Sequence, residues 1–284
     1  MVKVLSDSTC DLSEELKKRY QIDIIPLHVV MGENEFEDGV NITPDEIYSW
    51  ADHNKTTPKT SAPAIDRAKE IMEPFLNQGM EIVCFTIATG MSTCYNVIKL
   101  AAEELSAEDR VFVIDSANLS TGIGLQVLEA AEMAERGMNG AEITAKIEKI
   151  IPRVRASFVV DTLVYLHRGG RCSGLSALVG GVLKLHPRID VVDGVMGAGK
   201  KYRGSMKNAM TAYVKDMEES LLHAKKQRVF ITHSGADPET VSGIYDYLAG
   251  LHHFNEICIT KAGGVISSHC GPGTLGVLFI DGEE

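Results

Sequence analysis

The sequence predicts an α/β protein of two domains, and three observations carry that reading. Short apolar stretches of strand-like composition alternate with stretches of helical period through the first half, the pattern of a parallel sheet whose crossovers are helices. Past Pro152 the pattern changes to longer strand-like runs with a hairpin signal at Asp193-Gly194, which predicts a mixed sheet. The 284 residues also exceed what one hydrophobic core usually serves, and roughly one domain per 150 residues gives two. Residues 1–152 are therefore expected to form an N-terminal parallel-sheet α/β domain, and residues 153–284 a C-terminal mixed-sheet α/β domain.

In chain order, Val2 to Leu5 is extended, and Ser13 can cap a helix carrying Leu16 and Tyr20. Ile22 to Met31 is extended, with Pro26 marking an edge or a bend, and the acidic stretch Glu33 to Gly39 reads as a turn. Thr43-Pro44-Asp45-Glu46 opens a helix, with Thr43 and Glu46 forming a capping box and Pro44 at the first helical position. A polar loop from Asn54 to Pro63 precedes a helix starting near Ala64. Glu81 to Thr89 and Arg110 to Asp115 are strands separated by a helix through Val97 and Leu100, and helices over Gly124 to Arg136 and Ala141 to Ile151 complete the half. In the second half, Ser157 to Leu166 is strand-like, Leu175 to Leu185 is a glycine-containing apolar helix, and Ile189 to Met196 is a hairpin around Asp193-Gly194. Ser205 to Lys226 reads as one long amphipathic helix, Val229 to Thr232 as a strand and Pro238 to Leu251 as a helix. Ile257 to Ile259 and Thr274 to Ile280 are the closing strands.

Composition narrows the function classes. With 44% apolar and 24% charged residues, the chain is that of an ordinary globular protein. A formal net charge of −11 without a large Lys/Arg block makes nucleic acid a poor partner. The most apolar stretches fall short of the roughly 20 residues of a membrane span. The start of the chain has no secretory pattern, which predicts a cytoplasmic protein. Six scattered cysteines without a Cys-x-x-Cys pair read as reduced core thiols, and no metal site or cofactor is expected.

Loops leaving the carboxyl ends of parallel strands are where α/β folds place ligands, because the exposed amides of the following helix attract anions. Asp7 to Asp11, Gly90 to Thr93 and Asp115-Ser116 fit that description. Helix capping alone would equally explain Ser92 and Thr93 taken in isolation. Near the end, Ser267-Ser268-His269 approaches a Gly271-Pro272-Gly273 turn, where backbone can come close to a ligand.

Five motifs, DSTCDL (7–12), KTSAP (59–63), ATGMSTCY (88–95), LHRGGR (166–171) and HCGPGTLG (269–276), stand in an order that spans nearly the whole chain. In this the sequence resembles the DegV family, whose members include the FakB subunits of bacterial fatty acid kinase. The resemblance implies two α/β domains enclosing one long-chain fatty acid, its carboxylate held by Thr60, Ser61, Ser92, Thr93 and His269. It further implies a protein that is not itself an enzyme but presents its lipid to a separate ATP-dependent kinase subunit. Arg171 and Arg203 match positions that look like kinase-docking arginines in that family, though a surface or turn role fits either. Ala64 and Cys10 depart from residues common in the family without removing the main carboxylate partners.

The residue types suit such a ligand. Burying a carboxylate costs several kcal/mol unless its oxygens accept hydrogen bonds, which hydroxyls, amides and an imidazole N–H supply without a buried counter-charge. Sixteen carbons at about 0.8 kcal/mol per methylene offer on the order of 12 kcal/mol before ordering costs. The expected acyl lining is the apolar helix, through Leu178, Val182 and Leu183, although an ordinary core helix would have the same composition. Two other readings compete. Gly90-Met91-Ser92-Thr93-Cys94 approximates the nucleophile elbow of a serine hydrolase with His269 as base, but Cys94 replaces the second glycine. Gly194 to Lys200 has the spacing of a phosphate loop, but Lys201 stands where Ser or Thr is needed and the stretch belongs to a hairpin.

Overall fold

The computed structural model describes residues 1–171 and 185–282. Strand β1 (Val2–Asp7) runs into a single 3-10 turn and helix α1 (Glu14–Arg19), capped by Ser13 through the Leu16 N–H. Pro26 has no amide to donate, and the extended stretch around it divides into β2 (Asp23–Ile25) and β3 (His28–Met31), which join different sheets. The acidic stretch expected as a turn is instead strand β4 (Asn34–Glu37), paired with β3. Helix α2 (Pro44–Asn54) carries the expected capping box of Thr43 and Glu46. The polar loop after it contains a further strand, β5 (Lys59–Ser61), which pairs with β3 and is too short to show a period in sequence.

Helix α3 (Ile65–Asn77), β6 (Glu81–Thr86), α4 (Cys94–Glu104), β7 (Val111–Asp115), α5 (Thr121–Glu135) and α6 (Gly140–Ile150) follow the predicted order. Strand β8 (Val154–Val159) ends well before Leu166, whose surroundings form the short helix α7 (Val164–Arg168). Strands β9 (Leu185–Val192) and β10 (Val195–Arg203) make the expected hairpin; Asp193 and Gly194 have φ of 49° and 74°, as a tight two-residue turn requires. The phosphate-loop spacing lies in this hairpin and opens no helix.

The long helix expected from Ser205 is broken at Met217 into α8 (Met206–Asp216) and α9 (Glu218–His223), and β11 (Ala224–Ser234) begins at once. Turning there buries both Met217 and Leu221 in one apolar cluster. Helix α10 (Pro238–Gly250), β12 (Glu256–Lys261), α11 (Gly264–Cys270) and β13 (Thr274–Asp281) complete the described chain. Helix α11 replaces what the sequence reads only as a polar approach to a turn.

The strands form a parallel sheet β2-β1-β6-β7, a mixed sheet β10-β9-β8-β13-β11-β12, and a small antiparallel sheet β4-β3-β5. One apolar cluster joins residues of the first two sheets, Phe85 and Ile114 with Phe158 and Ile189, while a second, around Tyr213 and Phe279, belongs to the mixed sheet and its helices. Helix α5 lies between the two large sheets, in contact with β1 and β6 on one side and β8 and β13 on the other. Twelve of its fifteen residues are buried. No helix among the described residues is long and apolar enough to cross a membrane.

Candidate ligand site

The parallel sheet reverses its winding between β1 and β6, since β2 lies to one side and β7 to the other. Such a switch point leaves a crevice at the carboxyl ends of the strands. Asp7, at the end of β1, accepts from the Ile87 N–H at 2.8 Å and from Thr9, tying the first loop to the loop after β6. Asp115, at the end of β7, accepts from the Thr89 hydroxyl at 2.6 Å and from the Ala117 N–H at 2.9 Å.

Over this crevice lies a cavity of about 410 Å³, within the size range of small-molecule pockets. Its polar lining comprises Thr60, Ser61, Thr89, Ser92, Thr93, Arg171 and His269, so all five residues predicted for a carboxylate share one cavity. Its apolar walls come from Leu27, Ile87, Leu119, Leu166, Met196, Val265 and Ile266, among others. A second, much smaller cavity of about 30 Å³ shares Leu119, Ile266 and Cys270 with the first and reaches between the sheets towards Phe158 and Leu278.

His269 stands on the last turn of α11 with its Nε2 at 2.8 Å from the Thr60 hydroxyl. Gly169, after α7, backs the imidazole so closely that a Cβ there would lie 2.2 Å from Nδ1, and this nitrogen has no hydrogen-bond partner among the described residues. Burial, with a smaller contribution from Arg171, pushes the imidazole pKa down to about 4, so the ring is neutral at neutral pH. Arg171 donates to the Gly169 carbonyl at 2.7 Å and to the Met91 carbonyl at 3.2 Å, bridging the end of α7 to the loop before α4. Ser92 Oγ accepts from the Cys94 N–H at 3.2 Å, which leaves its proton to donate into the cavity. Thr93 is exposed at the rim, and no side-chain bond from it caps α4.

Thr60 and Ser61 are carried by β5 rather than by the loop expected there. Arg171 lies on the cavity wall, while Arg203 is exposed at the end of β10 and does not line the cavity. Leu178, Val182 and Leu183 lie outside the described residues. The apolar walls that are described escaped the sequence reading, because they come singly from separate loops and helices; Thr89 and Leu166 did fall inside quoted motifs. The five described cysteines are free, four of them buried.

A family model described as an uncharacterised protein of the DegV family matches residues 1–282. A fatty acid-binding protein of Thermotoga maritima is 31% identical over 284 residues, covering 97% of this chain and 96% of the relative. The solved structure of a fatty acid-binding DegV family protein from Thermus thermophilus superposes with a TM-score of 0.90 at 30% identity, covering 99% of both chains. A stearic acid-binding protein from Eubacterium ventriosum superposes with a TM-score of 0.86 at 30% identity, covering 99% of this chain and 98% of the other. On the whole-chain match, the protein belongs to the DegV family.

Proposed function

We propose that the protein is a cytoplasmic carrier of one long-chain fatty acid, which it presents to a separate ATP-dependent kinase subunit for acyl-phosphate formation. The observation that carries this reading is a single cavity on which hydroxyls from β5 and from the loop before α4 converge with the neutral imidazole of α11, while most of the remaining walls are apolar. Thr60, Ser61, Ser92 and Thr93 donate to the carboxylate, and His269 adds an imidazole N–H once Thr60 turns to the ligand. A neutral ring suits this task, since it offers a donor without burying a fixed positive charge. The acyl chain lies along Leu27, Leu119 and Ile266. Arg203 at the exposed end of β10 contributes to kinase docking, and Arg171, fixed by two carbonyls, faces the head group from the wall.

Two features oppose the serine hydrolase reading. The His269 Nε2 is bonded to Thr60 rather than to Ser92, and the Nδ1 that an acidic orienter would hold has no partner among the described residues. Native mass spectrometry of freshly purified protein tests the proposal, with a co-purifying long-chain acid as the expected result. Absence of a lipid adduct together with fluorophosphonate labelling of Ser92 would replace the carrier by a hydrolase.

A further inference from the structure

Helix α11, which delivers His269, has seven residues, too few to persist without tertiary support, and its N-cap, Gly263, has no side chain to satisfy the first amides. Those amides are met from the opposite end of the sequence. The Gly263 N–H donates to Asp11 Oδ1 at 2.8 Å and the Gly264 N–H to Asp38 Oδ1 at 2.6 Å. Each carboxyl is anchored from behind. Asp11 Oδ2 accepts from the Ser120 hydroxyl at 2.5 Å, Asp38 Oδ2 accepts from the Ser8 hydroxyl at 2.8 Å, and Ser8 Oγ in turn accepts from the N–H of Leu27, a cavity wall residue, at 3.1 Å. The glycine pair is what permits this approach: a Cβ on Gly264 would stand 2.9 Å from Asp38 Oδ1 and 3.0 Å from the Ile47 side chain.

We propose that Asp11 and Asp38 are positioning residues of the ligand site, forming a split N-cap that sets the axis of α11 and thereby the place of His269 against the ligand carboxylate. The lever is short and stiff. His269 lies about 7.5 Å along the helix from Gly264, so a tilt of roughly 10° at the capped end displaces the imidazole by about 1 Å. A hydrogen bond of 2.8 Å to Thr60, or its replacement by one to a ligand, does not survive such a shift. Both acids are buried, Asp11 just after the 3-10 turn and Asp38 just after β4, and neither lines the 410 Å³ cavity. Both reach the ligand through the helix, and Asp38 also touches the cavity wall indirectly, through Ser8 and the Leu27 N–H.

The inference rests on the fatty acid reading, and the test separates the two. In Asp38→Ala, and in Asp38→Asn as the conservative variant, two signals are followed by NMR: the ring ¹⁵N shifts of His269 in the ligand-free protein, and the carboxyl ¹³C shift of bound [1-¹³C]palmitate. The expected result is that Asp38→Ala moves both signals, the carboxyl towards its value in His269→Ala, with affinity falling roughly tenfold. Asp38→Asn, which keeps an acceptor for Gly264, restores both. A loss of general stability alone would weaken binding while leaving the two shifts of the folded fraction in place, and that result would overturn the proposal. Should Asp38→Ala not fold, Asp11→Ala removes the other half of the cap, the acceptor of the Gly263 N–H, without touching Leu27; the same shifts, smaller, are expected, and their absence counts equally against it. If the wild-type protein binds no palmitate, the carrier reading fails, while the His269 ring shifts still decide whether Asp38 positions the helix.

Discussion

Helices α2 and α11 begin in opposite ways. Helix α2 has eleven residues and brings its own start signal, with Thr43 accepting from the Glu46 N–H, Glu46 reaching back to the Thr43 N–H, and Pro44 at the first position. Helix α11 has seven residues, opens on two glycines, and takes its capping acceptors from Asp11 and Asp38, more than two hundred residues away. The two helices pack against each other, but α2 buries only Ile47 and Ala51 and caps itself at the surface, whereas α11 is buried except at His269. Helix α2 starts on its own local signal, and the helix that carries His269 is held by long-range bonds that exist only once both halves of the chain have come together.

The largest effect should come from breaking the borrowed cap. Asp38→Ala leaves the buried Gly264 amide without an acceptor and frees Ser8, and an unsatisfied buried group costs about 1–3 kcal/mol. A urea titration should show a loss of that size, together with weakened fatty acid binding. Thr43→Ala in α2 should cost about 1 kcal/mol or less. It should leave affinity unchanged in a fluorescent fatty acid displacement assay. If both substitutions affect affinity alike, the contrast between the helices disappears.

A pH series sharpens the comparison further. Burial pushes the Asp11 carboxyl up to about 8, with Asp38 and Asp7 adding repulsion, although Ser120 and Gly263 pull it partly back. Between an unfolded value near 3.8 and the folded value, the native state holds a proton that the unfolded chain has released, so this group subtracts stability progressively as pH rises through that window. Asp11→Asn keeps the acceptor for Gly263 and removes the titration. Its Tm should exceed that of the wild type at pH 8, by about 2–4 °C for each kcal/mol relieved, with the gain shrinking towards pH 4. His269 works in the other direction. Its folded pKa of about 4 lies below the ordinary 6.5, so its contribution is intact above pH 6.5 and declines as pH falls from there to about 4. In His269→Gln the acid limb of the stability curve should flatten across that interval.

The smallest effect concerns the wall rather than the head group. Leu119 lines both the large and the small cavity. Leu119→Phe should shorten the longest acid that binds well, each excluded methylene removing about 0.8 kcal/mol, as a chain-length series by calorimetry would show. A uniform loss across all chain lengths would instead place Leu119 away from the acyl path.

The same contrast explains what could be read in advance. The alternation of strands and helices through the first half, the capping box at Thr43 and the Asp193-Gly194 turn are local signals, and each is realised in the structure. So are the motif residues Thr60, Ser92 and His269, which converge on one cavity. What escaped has no local signal. Strand β5 is three residues long, α7 is a single short helix at the end of an apolar run, and α8 parts from α9 because Met217 and Leu221 are drawn into a core that only the folded chain contains. In α11 every residue except His269 is buried, so its pattern lacks the polar face that betrays a surface helix. In sequence Arg171 is equally compatible with a surface arginine; only the folded chain brings the carbonyls of Gly169 and Met91 to its guanidinium.

The enclosure of α5 bears on how a guest molecule could get in or out. Because that helix is wedged between both large sheets, swinging one sheet away from the other like the leaves of a book would strip solvent-free residues such as Ile123, Val127 and Leu128 from at least one neighbour. Under the carrier proposal, loading and unloading would proceed by small displacements at the rim while the centre stays shut. Amide exchange along α5 should accordingly be as slow in the empty protein as in the filled one.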